Sequence, residues 1–177
     1  MIANWGATIR ERETPLPCDT LKPGAAVSAD RAISIAASPS TVFDWLCQLR
    51  VAPYSYDLLD NFGRRSPRTR DPALTELHTG QRFMQLFELR SFADDEHLTL
   101  QSGNVAVSYS VRGEADGTRL HVRVRFGGPR IVGWALALGD VVMMRKQLLT
   151  LRDLAEREAA GLNLDADKLR WDSSTSH

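Results

Sequence analysis

The stretch TRLHVRVRF, Thr118 to Phe126, restricts this chain more than any other. Leu120, Val122, Val124 and Phe126 alternate with Arg119, His121, Arg123 and Arg125. A period of two places the first set on one face of a strand and the second on the other. The pair Asp116-Gly117 just upstream is a strong hairpin signal and joins this strand to another, VAVSYSVRGE. A sheet with one apolar and one charged face packs on one side only. The charged row, His121 included, is therefore expected in solvent, and the apolar face needs a cover.

The cover is legible near the C-terminus. Ala137, Val141, Met144, Leu148, Leu151 and Ala155 recur at helical spacing, with Arg145 and Arg152 bordering the stripe. They predict a long helix from about Gly139 to Ala160, with Gly161 as its cap. Upstream, RAISIAA within Val27 to Ala36 reads as a strand. In SPSTVFDWLCQLR, Ser38 is an N-cap, Pro39 sits at the first helical position, and Val42, Trp45, Leu46 and Leu49 share one face. Pro53 ends that helix, and a second short helix is expected between Ser55 and Gly63. GRRSPRTRDPA then reads as a basic, solvated loop. QRFMQLFELRSF and HLTLQSG complete an antiparallel meander. The first of these has apolar residues in both registers, which implies a bulge or an edge.

The order strand, helix, short helix, strands, long helix predicts an α+β domain of two layers. One domain over residues 27–161 suits a chain of 177 residues. Residues 1–26 read as an extended arm laid over it, since Pro15, Pro17 and Pro23 exclude a helix interior. Residues 162–177 read as a polar, frayed tail.

Several function classes are disfavoured. Lys plus Arg equals Asp plus Glu at 22 each. Zero net charge, with no aromatic residues among the strand arginines, argues against a nucleic-acid or anionic-membrane partner. The longest apolar run, Ile131 to Leu138, is too short for membrane insertion, and the N-terminus shows no signal-peptide pattern. Cys18 and Cys47 form no CxxC, so two reduced thiols in a cytoplasmic protein are expected. His78, His97, His121 and His177 lack metal-ligand spacing. There is no GxSxG, Walker loop or GxGxxG, so neither a metal nor a cofactor is expected. Cys47 falls on a helix among core residues and is not a promising nucleophile.

Six strings carry a resemblance: WGAT at Trp5–Thr8, PLPCD at Pro15–Asp19, SPSTVFDWLCQL at Ser38–Leu49, YSYDLLDN at Tyr54–Asn61, TRLHVRVR at Thr118–Arg125 and GDVVMMRKQLLTLRDLAER at Gly139–Arg157. The chain resembles the SRPBCC superfamily, also called START-like or helix-grip, and within it bacterial polyketide cyclase-like and uncharacterised members. It departs from them in one place. They usually carry a Gly-rich insert between the first helix and the tyrosine motif, where here only RVAP joins Leu49 to Tyr54.

The resemblance implies a curved antiparallel sheet wrapped around the long helix, with two short helices after the first strand and a cavity between sheet and helix. It further implies a small hydrophobic ligand, lipid-, polyketide- or terpenoid-like. The residues expected to line its site are Tyr54, Tyr56, Asp57, Phe83, Phe87, Tyr109, Trp134, Met144, Arg145 and Leu148. Asp57 is expected to be ionised, with Arg145 as its first candidate partner. YSYDLLDN then reads either as a ligand contact or as a clamp between the short helices and the long one. Three functions stay open: a carrier or sensor, a cyclase or dehydratase using groups such as Tyr109, Glu88, Arg90 and Arg145, or an interaction module with a filled core. The protein is expected to be a monomer or a homodimer.

Overall fold

The computed structural model describes residues 4–54, 68–128 and 143–161. The N-terminal arm holds two short helices, α1 (Ile9–Glu13) and α2 (Pro17–Leu21). Strand β1 (Val27–Ile35) is followed by α3 (Pro39–Cys47) and a 3-10 turn, Gln48–Arg50. Strands β2 (Arg82–Phe83), β3 (Phe87–Ala93), β4 (His97–Ser102), β5 (Val105–Glu114) and β6 (Gly117–Phe126) come next. Residues 143–161 form the last helix, α4. The strands make one antiparallel sheet in the order β1-β6-β5-β4-β3-β2. The architecture is the expected α+β helix-grip fold.

Local signals explain the elements. Ser38 accepts from Thr41 N at 3.2 Å and caps α3, with Pro39 in its first turn. Glycine is required at 117. Its φ is +146°, and a Cβ there would meet the Ile35 carbonyl oxygen at 2.2 Å. QRFMQLFELRSF is not one strand. It is the hairpin of β2 and β3, and the expected irregularity is a register shift against β4 between Leu89 and Ser91. The second short helix expected from Ser55 lies outside the described residues, as does the start of the long helix.

The inner face of the sheet carries Ile33, Leu120, Val122, Val124, Leu98 and Leu100, all buried. Met144, Leu148, Leu151, Leu154 and Ala155 of α4 join the same core, as do Val42, Trp45 and Leu46 of α3. Hydrogen bonds fix where α4 lies. Glu158 accepts from the Trp45 indole at 2.9 Å and from Arg70 at 2.7 Å, and Arg70 also pairs with Asp44. Arg70 is thus a structural tie rather than part of a solvated loop.

The outer face overturns the expectation of a solvent-exposed arginine row. Arg123 is 4% exposed and His121 6%. The arm covers them, and its prolines do not prevent helices. Pro17 heads α2, where its missing N–H costs nothing. Arg123 spends all five N–H donors beneath the arm. Nε donates to Asp30 Oδ1 at 2.8 Å, Nη1 to Asp19 at 2.7 Å and the Thr14 carbonyl, and Nη2 to the carbonyls of Glu11 and Arg12. His121 also bonds Asp30 Oδ1, at 2.9 Å. Arg125 holds Asp19 and the carbonyls of Lys22 and Pro23. Alternation identified this face correctly. It said nothing of what lies on it, which the acidic residues of the arm and of β1 decide.

The two cysteines are free and buried on opposite sides of the sheet. Cys18 packs with Leu16 and Ala106 beneath the arm, whereas Cys47 belongs to the inner core.

Two outcomes are expected. Leu148 is fully buried, so Leu148→Ala should cost about 2–5 kcal/mol in urea unfolding. On the outer face, the Arg119 hydrogen bond at 2.7 Å holds Glu11 down to about 2 from 4.5. A depressed carboxyl stabilises the fold above its unfolded pKa and loses that contribution as pH falls through its folded one. Urea midpoints should therefore decline as pH drops from about 4.5 toward about 2. Glu11→Gln should flatten that part of the profile.

Candidate functional site

The register of the sheet builds the site. Arg31 pairs with Val122, Val122 with Tyr109, Tyr109 with Leu98, and Leu98 with Phe92. Directly opposed residues point to the same face. Arg31, Tyr109 and the apolar residues between and beyond them therefore form one row across the inner face. Neighbouring strands lie about 4.8 Å apart, so Arg31 and Tyr109 are about 10 Å apart at their backbones. Both are buried completely enough that their polar ends face protein. One Arg31 guanidinium nitrogen donates to the Ala29 carbonyl at 3.2 Å. A charge in this position is costly unless compensated.

Above the row, α4 supplies Gln147, which is 4% exposed. Its Oε1 accepts from the Tyr109 hydroxyl at 2.9 Å, and its Nε2 donates to the Pro53 carbonyl at 2.6 Å. The Met84 sulfur lies 3.5 Å from the same nitrogen. One amide thus ties the sheet, α4, the segment leading into the tyrosine motif and the β2–β3 loop. The backbone around it is strained. Tyr54 has φ +54°, and Met84 and Gln85 have φ +46° and +63°. Bulky residues avoid this region, and it persists where surrounding structure enforces it. Tyr54 is buried with its ring edge-on to Trp45, centroids 6.1 Å apart.

The expected site residues separate into three groups. Tyr54, Phe83, Tyr109, Met144 and Leu148 are buried in one inner cluster, with Phe87 half-buried against it. Arg145 is exposed, and its guanidinium lies 5.4 Å from the centre of the Trp5 ring. That contact joins α4 to the arm. Tyr56, Asp57 and Trp134 lie outside the described residues, and with them the Asp57–Arg145 pair. Glu88 and Arg90 are exposed and pair with each other at 3.0 Å. Burial pushes the Cys47 thiol up to about 12, so it is not a nucleophile at neutral pH.

Sequence reasoning missed Arg31 and Gln147. Both left a signal. Arg31 occupies an apolar parity position of its strand, between Ala29 and Ile33. Gln147 follows Met144 by three and precedes Leu148, inside the apolar stripe of α4. Among the described residues no group of His, Cys, Asp and Glu is placed to hold a metal ion. No helix among them is long and apolar enough to cross a membrane.

No family model and no curated protein matches the chain. Solved structures do. The crystal structure of a Nitrosomonas europaea protein aligns over 77% of this chain and 98% of its own, with 13% identity and a TM-score of 0.51. A Mesorhizobium loti protein aligns over 74% and 98%, at 14% identity and a TM-score of 0.51. A Rhodobacter sphaeroides protein aligns over 75% and 94%, at 16% identity and a TM-score of 0.51. At such identities the likeness is one of fold, and it spans nearly the whole length of each of those proteins.

Gln147→Leu should lower stability by about 1–3 kcal/mol, because it takes one partner from each of two buried polar groups, the Pro53 carbonyl and the Tyr109 hydroxyl. Equilibrium urea unfolding measures it. Gln147→Glu, which keeps an acceptor for Tyr109 but loses the donor to Pro53, should also destabilise.

Proposed function

We propose that this protein binds a small hydrophobic molecule between the inner face of the sheet and α4, as a cytoplasmic carrier or sensor of the SRPBCC type. The ligand class is lipid-, polyketide- or terpenoid-like. The observation that carries this reading is the row of Arg31, Val122 and Tyr109 beneath Gln147. A binding site for an apolar molecule combines an apolar wall with a few placed polar groups. Here the wall is Phe83, Leu98, Leu100, Met144 and Leu148, and the polar groups are Arg31 and the bonded pair Tyr109 and Gln147. Left-handed backbone at Tyr54 and Met84 beside that pair supports the reading, because such strain collects at ligand clamps. The fold and the resemblance of the quoted strings point the same way. The cytoplasmic placement is supported by the two free thiols.

A cyclase- or dehydratase-type enzyme is the second reading, and one feature speaks for it, the presence of a guanidinium and a phenol in one row. Together they could polarise a ligand carbonyl and orient its enol, with orientation supplying much of the effect.

Native mass spectrometry of freshly purified protein should show an added mass that organic extraction removes. Nile red, an uncharged apolar dye, should bind the extracted protein, and Tyr109→Phe should weaken that binding by about tenfold. Absence of both added mass and dye binding would mean a filled core and an interaction module. Conversion of the extracted molecule on return to the protein would identify an enzyme.

A further inference from the structure

A second concave site lies at the C-terminal end of α4, at the margin of the inner core. A cleft of about 720 Å³ is walled by Trp45, Pro72, Leu154 and the arginines Arg68, Arg70 and Arg157, with Glu158 beside them. That volume falls within the range of small-molecule sites. Its charge is unbalanced. Glu158 is the one acidic residue of the lining, and its two oxygens are taken, Oε1 by Arg70 at 2.7 Å and Oε2 by the Trp45 indole at 2.9 Å. Asp44, just beyond, pairs with the same Arg70. Arg68 and Arg157 are exposed and have no ion pair or hydrogen bond among the described residues. Arg157 sits near the end of α4, where a cation offsets the partial charge of the helix terminus. Arg68 lies on the segment after the tyrosine motif and has no such role.

We propose that this cleft binds a small organic anion whose carboxylate or phosphate is held by Arg68 and Arg157 and whose apolar part lies against the exposed Pro72 and the outer edges of the core residues Trp45 and Leu154. Arg70 does not contact the anion as a free group. Its two carboxylate partners fix it in the wall and offset its charge, so recognition of the anion falls to Arg68 and Arg157. Planar guanidinium forks match the oxygens of carboxylate and phosphate alike. The apolar side distinguishes the ligand from a free inorganic ion. This site does not depend on the binding proposed for the inner face, because it shares neither Arg31, Tyr109 nor Gln147 with it.

Calorimetric titration of the full chain with octyl phosphate, octanoate, octanol and inorganic phosphate tests the assignment. The two amphiphilic anions should bind, and their affinity should fall as salt rises. Octanol and inorganic phosphate should bind at least about tenfold more weakly, each lacking one half of the recognition. A preference between octyl phosphate and octanoate identifies the headgroup. Arg68→Ala and Arg157→Ala should each reduce anion affinity by about tenfold with little change in thermal midpoint, since neither side chain has an ion pair or hydrogen bond among the described residues. Tyr109→Phe, which weakens Nile red binding on the inner face, should leave octyl phosphate binding unchanged. The proposal is overturned if both arginine variants bind the anions like the parent protein, or if they weaken octanol binding as much as octyl phosphate binding.

Discussion

The Arg123 guanidinium is the contact around which the outer half of this protein is arranged. It stands on a central strand, almost fully buried, and all five of its N–H groups are satisfied. Its acceptors come from β1 and from both helices of the arm and the segment between them. The arm buries little apolar surface, with Leu16, Cys18 and Leu21 packed around Ala106 and Trp5 half-buried beside β1. The charged hydrogen bonds therefore set the position of the arm. The cost of burying the guanidinium is offset only because every donor has an acceptor and two carboxylates neutralise it. His121 and Arg125 extend the same network sideways, so the two carboxylates, Asp19 and Asp30, each serve two cationic or imidazole partners.

The inner face follows a different rule. There the polar groups are few and the apolar groups many. Arg31 and Tyr109 interrupt a wall of Ile, Val and Leu, and Gln147 meets Tyr109 from α4. A single amide with one acceptor and two donor hydrogens can bridge three elements only if their backbones come to it. The left-handed residues Tyr54 and Met84 mark that accommodation, since both belong to segments that touch Gln147. The two faces thus divide the work. Dense ion pairing on the outer face fixes the arm, and a few polar groups on the inner face tie α4 to the sheet and its loops.

Much of the fold was legible because its signals are periodic. The alternation of β6, the stripe of α4 and the Ser38-Pro39 start of α3 each report a local geometry that tertiary structure then used. What periodicity cannot report is the identity of a covering layer. The row of Arg119, His121, Arg123 and Arg125 looks the same whether water or an acidic arm lies over it. Proline likewise excludes a helix interior but permits a helix start, which is how Pro17 escaped notice. At the inner site the expectation favoured aromatic residues and the tyrosine motif, and it passed over Arg31 and Gln147. Both are polar residues at positions where the pattern demands an apolar one, so a search for violations of the pattern would have found them where a search for motifs did not.

The same criterion separates the two arginine settings on the long helix and its surroundings. Arg145 borders the apolar stripe, yet it turns outward over Trp5, where an aromatic ring of the arm offers a cation–π contact without desolvating the charge fully. A long side chain at the edge of a stripe can choose solvent in this way. Arg31 has no such choice. It projects from the middle strand positions of β1 into the core, with Ala29 and Ile33 on either side and Val122 opposite. An arginine retained there, at the cost of its hydration, needs compensation from the protein around it, whereas one at a helix edge keeps water. The buried charge of the inner face thus stands on the sheet at Arg31, and not on α4 at Arg145, which is exposed.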